Sequence, residues 1–505
     1  MNIKKYLILM LVSSALFLIV IDMTVLYTAL PLLTQDLQAT ANQKLWIINA
    51  YALVVAGLLP GLGTLGDYVG YKKMFLLGLT IFGGASLLAA YATTPNILIL
   101  ARVFLAIGAA SMMPPTLSII KLTFIDAQER TLALGIWSAI TAAGAGLGPV
   151  IGGLLLRSFS WPSVFIINIP VVIVVLVLSI MFIPNDQVKK TGRWDFVSSL
   201  QIMVGLISLV YGIKAVTQQH NTVLISILAF VIGVLAITWF IKRQNNLENP
   251  LINLKIFKNL NFTSGTLVAI VTSFVLIGFE YILSQRFQLV LDLTPLQSGL
   301  SIMAMAAASL VGAIVVGMIL PQYGLFKLQC ITLIISFIGI FLFYWVLDMN
   351  LLIQIIILMI LGGGLGGAMT LASNAIMTNV DDKESGMAAS IEEVSFEFGG
   401  SLGIAILGGL FSALYSLSFE FTGSAINLSK AKGSLDETIM QAEQLSPEVS
   451  KQLISAGKVA FDHSFSLIIM IGSLALIATI LLIIFLNTRE KKYHITNICS
   501  INPHP

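Results

Sequence analysis

Residues 19–31, IVIDMTVLYTALP, set the acid Asp22 near the middle of an apolar run that extends over residues 5–33. A run of that length crosses a bilayer as a helix. A carboxylate at the centre of such a helix costs about 2.5 to 3.5 kcal/mol on insertion scales, so it faces a bundle interior or a watery cavity. Two readings of Asp22 follow: a functional acid, or one that only hydrogen-bonds to a neighbouring helix.

The composition extends this to the whole chain. Of 505 residues, 57% are hydrophobic and 10% charged, whereas an average soluble domain is about 25% charged. The class is an all-α integral membrane protein whose partner is the lipid bilayer. A net charge of +3 indicates no nucleic-acid surface. Cys330, Cys499 and four scattered histidines form neither a disulfide framework nor a metal-ligand spacing. No metal and no cofactor are expected, and no Walker-type ATP motif is present. The opening MNIKKYLILMLV resembles a signal peptide, but its apolar run continues too far, so it reads as a retained first helix.

Counting apolar runs gives spans near 5–33, 45–66, 74–93, 97–119, 133–156 and 163–183, then 195–216 and 222–241. Six more follow near 262–283, 297–319, 327–346, 352–374, 387–412 and 464–487. The expected organisation is a six-helix bundle (1–185), two inserted helices with linkers (186–260) and five helices of a second bundle (261–412). A long loop (413–463), the last span (464–488) and a tail (489–505) complete it. Lys4, Lys5, Lys72, Lys73, Lys121, Arg130, Lys189, Lys190 and Arg193 fall on the face that carries both termini, as do Lys242, Arg243, Lys255, Lys258, Lys327, Lys383, Arg489, Lys491 and Lys492. The opposite short loops offer only Lys44, Arg157 and Arg286. The positive-inside rule then makes both termini cytoplasmic, in a cell inner membrane.

Within the long loop, SLDE at Ser434–Glu437 reads as a capping box and Ser446–Pro447 as a second helix start, so two short helices are expected. Such a loop serves as a substrate vestibule or as a spacer, and the general tolerance of long loops favours the spacer. A faint repeat links Gly63, Gly70 and Lys73 after the second span to Gly317, Gly324 and Lys327 after the tenth. Two six-span halves related in this way are the organisation of a transporter with its site between them.

Several polar residues interrupt the apolar spans. Arg102 stands in LILARVFLAIGAA as a permanent charge, which either lowers the pKa of a nearby carboxylate or snorkels to the interface. Gly144, Gly148, Pro149, Gly152 and Gly153 lie in the fifth span, where small residues permit close helix approach and the proline bends the chain. Glu392, Glu393 and Glu397 lie in the thirteenth. Glu393 and Glu397 share a helix face, while Glu392 points about 100° away and has the alternative of pairing with a cytoplasmic lysine. Glu280, near the end of its span, reads as interfacial. Trp46, Tyr51 and Phe396 form either an aromatic wall for cations or ordinary packing.

With these motifs the chain resembles the major facilitator superfamily and, within it, the fourteen-span drug/proton antiporters of the QacA type. Gly63, Leu65, Asp67, Gly70 and Lys72 match the cytoplasmic loop signature that latches the inner gate, with Tyr68 and Tyr71 where basic residues are usual. Arg102 matches a buried arginine implicated in proton coupling. The stretch from Gly144 to Gly153 matches in full the GxxxGPxxGG signature of antiporters, and Asp22, Thr24, Ala29, Leu30 and Pro31 match the first-span DxTxxxxALP. Glu392 and Glu393 match an acidic pair associated with cation or proton binding. Asn49 stands where the QacA relatives carry an acid.

The resemblance implies a proton-coupled exporter of hydrophobic cations, working as a monomer and not an enzyme. Asp22 and Arg102 would couple protons. Glu392, Glu393, Glu397, Asn49, Tyr51 and Trp46 would meet substrate, and Gly63, Asp67, Gly70, Lys72 and the fifth-span signature would gate. The rival is a symporter or facilitator of another small molecule on the same fold.

Overall fold

The computed structural model describes residues 3–185, 195–216, 223–247, 250–380, 385–421, 431–443 and 445–501, and among them every regular element is a helix. The first half contains α1 (Ile3–Asp36), α2 (Ala41–Val69), α3 (Tyr71–Ala90), α4 (Pro95–Thr123), α5 (Ala127–Ser158), a short α6 (Ser163–Ile166) and α7 (Asn168–Phe182). A hairpin of α8 (Phe196–Val216) and α9 (Val223–Asn246) follows. The second half contains α10 (Leu260–Gln285), α11 (Pro295–Tyr323), α12 (Leu325–Trp345), α13 (Leu351–Thr378) and α14 (Ser385–Gly403), which passes through one wide turn into α15 (Gly409–Ser418). Finally α16 (Leu435–Ala442) lies in the long loop and α17 (Pro447–Ile501) closes the chain.

Thirteen helices among the described residues are long and apolar enough to cross a membrane. The 32-residue α5 is a further helix of sufficient length, about 48 Å at 1.5 Å per residue. The outward faces carry unpaired apolar side chains such as Val177, Met181, Leu235, Trp239, Met318 and Leu481. Exposed apolar surface on this scale is solvated by lipid rather than water.

The repeat is fuller in the structure than in the sequence. Helices α2 and α11 each run 29 residues and each opens on a capping box, Thr40 with Gln43 and Thr294 with Gln297. Each ends on a glycine of positive φ, Gly70 at 107° and Gly324 at 77°, and the next helix starts at the following residue. A side chain at either glycine would be strained, so this tight turn between antiparallel helices uses the one residue that adopts it freely. The halves meet twice in the same way: α5, the fifth helix of its half, packs on α11, the second of the other, and α14 packs on α2.

The inserted hairpin packs on α2. It is fastened by Asp195, which accepts from the Ser198 N–H at 3.1 Å and from Arg243 of α9 at 3.0 and 3.3 Å. Burial alone would raise the Asp195 pKa, but the Ser198 and Arg243 hydrogen bonds and the guanidinium charge outweigh it and hold the carboxyl below its ordinary value.

The long loop departs from the expected spacer with two short helices. The Ser434 side chain caps α16 as its sequence predicts. The helix starting at Pro447, however, continues unbroken into the last span for 55 residues. Helix α16 is docked, with Leu435, Asp436, Thr438 and Ala442 all buried. Residues 422–430 of the loop lie outside the described residues.

Candidate transport site

Asp22 of α1 is fully buried. Its carboxylate accepts from Arg102 Nη1 of α4 at 2.5 Å and from Asn168 Nδ2 of α7 at 3.2 Å. Asn168 Nδ2 also reaches Ser86 Oγ of α3, and Arg102 Nε donates to the Ile47 carbonyl of α2 at 3.2 Å. The Arg102 guanidinium lies 4.3 Å from the centre of the Tyr51 ring. One acid thus ties α1, α2, α3, α4 and α7 together. Arg102 is 1% exposed, so it does not snorkel. A buried carboxylate is stable as an anion only with such partners.

Tyr51 is therefore spent on an internal cation, while its hydroxyl and the whole Asn49 amide are buried without a hydrogen-bond partner among the described residues. Trp46 lies 5.8 Å from Tyr211 of the inserted helix α8, so it packs between α2 and the hairpin. Asn168 is not among the residues singled out from the sequence above. Its signal as a partner of Asp22 is an amide in an otherwise apolar run.

The second half supplies acids of another kind. Glu392 is hydrogen-bonded by Ser373 of α13. Glu393 and Glu397 are half-buried on α14, and no hydrogen bond or ion pair to either carboxylate is found among the described residues. Glu397 acts electrostatically on both Tyr27 and Tyr51, across the boundary between the halves. Glu280, expected at the interface with water, is instead 7% exposed. Helix α10 carries it between α1 and α14, because its small Gly278 lets the backbone approach Gly403 closely.

The fifth-span signature divides its work between two faces. A Cβ at Gly144 would lie 3.1 Å from Val20, at Gly148 it would strike Thr24 Oγ1, and at Gly152 it would stand 2.7 Å from Val25. This face packs on α1 inside its own half. Gly153 faces the other half instead, where a Cβ would meet the Leu296 backbone at 2.4 Å; the Pro149 carbonyl serves both, accepting from Thr28 of α1 at 3.3 Å and lying 2.3 Å from a Cβ built at Gly299. At the end of α2, Gly63 lies near Pro114, and Lys72 donates to the Ile180 carbonyl at 3.0 Å. The Asp67 side chain lies outside the described residues.

Two basic residues assigned to short loops are buried in ion pairs. Lys44, in the first turns of α2, pairs with Asp436 of α16 and donates to Gln285 of α10 at 2.7 Å. Arg286 is 1% exposed and binds Asp462 of α17 at 2.7 Å and Gln354 of α13 at 3.0 Å. Neither counts as a free loop charge. Hydropathy placed both near helix ends and carried no information about their partners.

Paired helical halves, buried charges facing the boundary between them and a lipid-facing surface define a membrane transporter. The sequence profile of the Major Facilitator Superfamily matches residues 12–404, and the chain belongs to that superfamily. The methyl viologen resistance protein SmvA of Salmonella typhimurium is 32% identical over 469 residues, covering 92% of this chain and 94% of that protein. The multidrug efflux pump LfrA of Mycolicibacterium smegmatis is 33% identical over 472 residues, covering 91% and 92%. Among solved structures, a bacterial homologue of the human lysosomal transporter Spinster superimposes with a TM-score of 0.68 at 16% identity, over 95% of this chain and 97% of that one.

Proposed function

We propose that the protein is a proton-driven exporter of hydrophobic organic cations, acting as a monomer. The observation that carries this reading is the contrast between the two halves: Asp22 is matched to Arg102, whereas Glu393 and Glu397 share a face of α14 with no cation beside it, and Glu397 acts on Tyr27 and Tyr51 across the boundary. A carboxylate removed from water without a counter-charge is held either as the neutral acid or against a cation. Proton and cationic substrate therefore compete for the same groups, which is the requirement for exchange.

Asp22 is the coupling acid in this reading. Protonation removes the charge that Arg102 and Asn168 hold, and so loosens a contact shared by five helices of the first half. Gly63, Asp67, Gly70, Lys72 and the fifth-span signature are the places where the halves and their turns move. The names of SmvA and LfrA support a cationic and multidrug substrate range. The distribution of Lys and Arg supports cytoplasmic termini in the inner membrane, with the loop near Ala431 outside.

The test is ethidium efflux from energised cells, with and without a protonophore, alongside labelling of a tag near Ala431 from outside. Efflux that persists without a proton gradient, or a tag reached only after permeabilisation, overturns the corresponding part. Counterflow of protons against substrate distinguishes export from symport of another small molecule.

A further inference from the structure

We propose that Glu280 is a second cation-binding carboxylate of the transport site, placed to hold the far charge of a dication. This rests on the cation-export reading above. Its basis is the position of Glu280 on a helix face that touches both neighbours. Ser273 Oγ donates to the Phe396 carbonyl of α14 at 2.6 Å, and Ser284 Oγ donates to the Tyr27 carbonyl of α1 at 3.3 Å. Residues 273, 277, 280 and 284 follow one another along one side of α10 by helical spacing. Glu280 is consequently held between the second half and the first.

Nothing in its surroundings neutralises it. No hydrogen bond or ion pair to its carboxylate is found among the described residues. The buried cations of both halves are engaged elsewhere: Lys44 by Asp436 and Gln285, Arg286 by Asp462 and Gln354, Arg102 by Asp22. Glu280 and Glu397 both act electrostatically on Tyr27, so the two carboxylates share its neighbourhood.

They are also well separated. Helices α10 and α14 run in the same direction, with Ser273 against Phe396, Ile270 against Gly399, and Phe274 and Gly278 against Gly403. At 1.5 Å of rise per residue, these contacts set Glu280 about 9 to 18 Å farther along the bundle axis than Glu397. A small monocation engages one of these acids at a time. A rigid or extended molecule with two positive charges at comparable spacing engages both. The two-charge requirement is met here without an acid at Asn49.

The experiment uses the full-length protein in detergent and in proteoliposomes. Its probes are bis-quaternary ammonium compounds with methylene spacers of increasing length, and tetraphenylphosphonium as the monocation. Wild type is expected to prefer intermediate spacers. Glu280→Gln should weaken binding of those dications about tenfold, the size of one charge-assisted contact, and change monocation binding less than about twofold. Glu280→Asp, which keeps the charge and shortens its reach, should retain dication binding with a shifted spacer preference. Equal losses for monocation and dication in Glu280→Gln, or unchanged dication binding, overturn the assignment. Binding is measured without a gradient, so a wild type that binds both probes but exports neither fails the export reading while Glu280 is still tested.

Discussion

Lys44 and Asp436, 392 residues apart in the sequence, form an ion pair with both side chains almost completely buried. The lysine belongs to α2 of the first half and donates also to Gln285 of the second, while the acid comes from the loop helix α16. Beside it the Ala41 N–H donates to Glu437 at 3.2 Å. The loop is thereby fixed to the seam where the halves meet.

Removing one partner of this pair leaves an uncompensated buried charge. Lys44→Met or Asp436→Leu is expected to destabilise the docked loop, with the cost of the stranded charge on the order of 3 to 5 kcal/mol. The combined Lys44→Met/Asp436→Leu variant should recover part of that loss. Thermal unfolding and limited proteolysis within the loop measure it. Additive losses in the double variant would show that the two residues do not act as a pair.

The Asp22 network predicts a separation of transport from folding. Asp22→Asn keeps the size of the side chain and removes its charge, so proton-driven efflux should be abolished while the protein remains folded and inserted. Asp22→Glu should keep partial activity. Intact proton-coupled ethidium export by a well-expressed Asp22→Asn protein would move the coupling site to Glu393 and Glu397.

Glycine substitutions test which contact between the halves is unyielding. A methyl group at Gly153 meets the backbone of Leu296, which cannot rotate away, whereas one at Gly317 meets nothing within 4 Å. Gly153→Ala is therefore expected to lower the transport rate several-fold, and Gly317→Ala to leave it unchanged, at equal expression. Comparable rates for the two variants would exclude a tight α5–α11 contact from the transport cycle.

The Asp195 clasp gives a pH dependence of known sign. Its carboxyl pKa is depressed in the folded protein, so its contribution is present above the unfolded aspartate value of about 3.9 and is lost as pH falls through the lower folded value. Wild type should thus exceed Asp195→Asn in thermal stability at neutral pH, and the gap should close on acidification below about pH 4. A gap that widens in acid would reverse the assignment.

The class of protein, the helical spans and the doubled architecture were legible in the sequence because each rests on local information. Apolar run length marks a membrane helix, and Gly70 and Gly324, matched in the sequence repeat, stand at turns that few other residues adopt. The fifth-span glycines likewise advertise close packing, although not that Gly148 serves α1 while Gly153 serves α11. The acids stood out singly, since any charge in an apolar run is conspicuous. Their partners did not. Asp22 finds Arg102 across 80 residues, Lys44 finds Asp436 across the length of the chain, and Glu280 finds no counter-charge among the described residues. Hydropathy is nearly the same for a helix face turned to lipid and one turned to another helix. Only the packing of the halves therefore decides which charges are neutralised and which remain open to a proton or a cation.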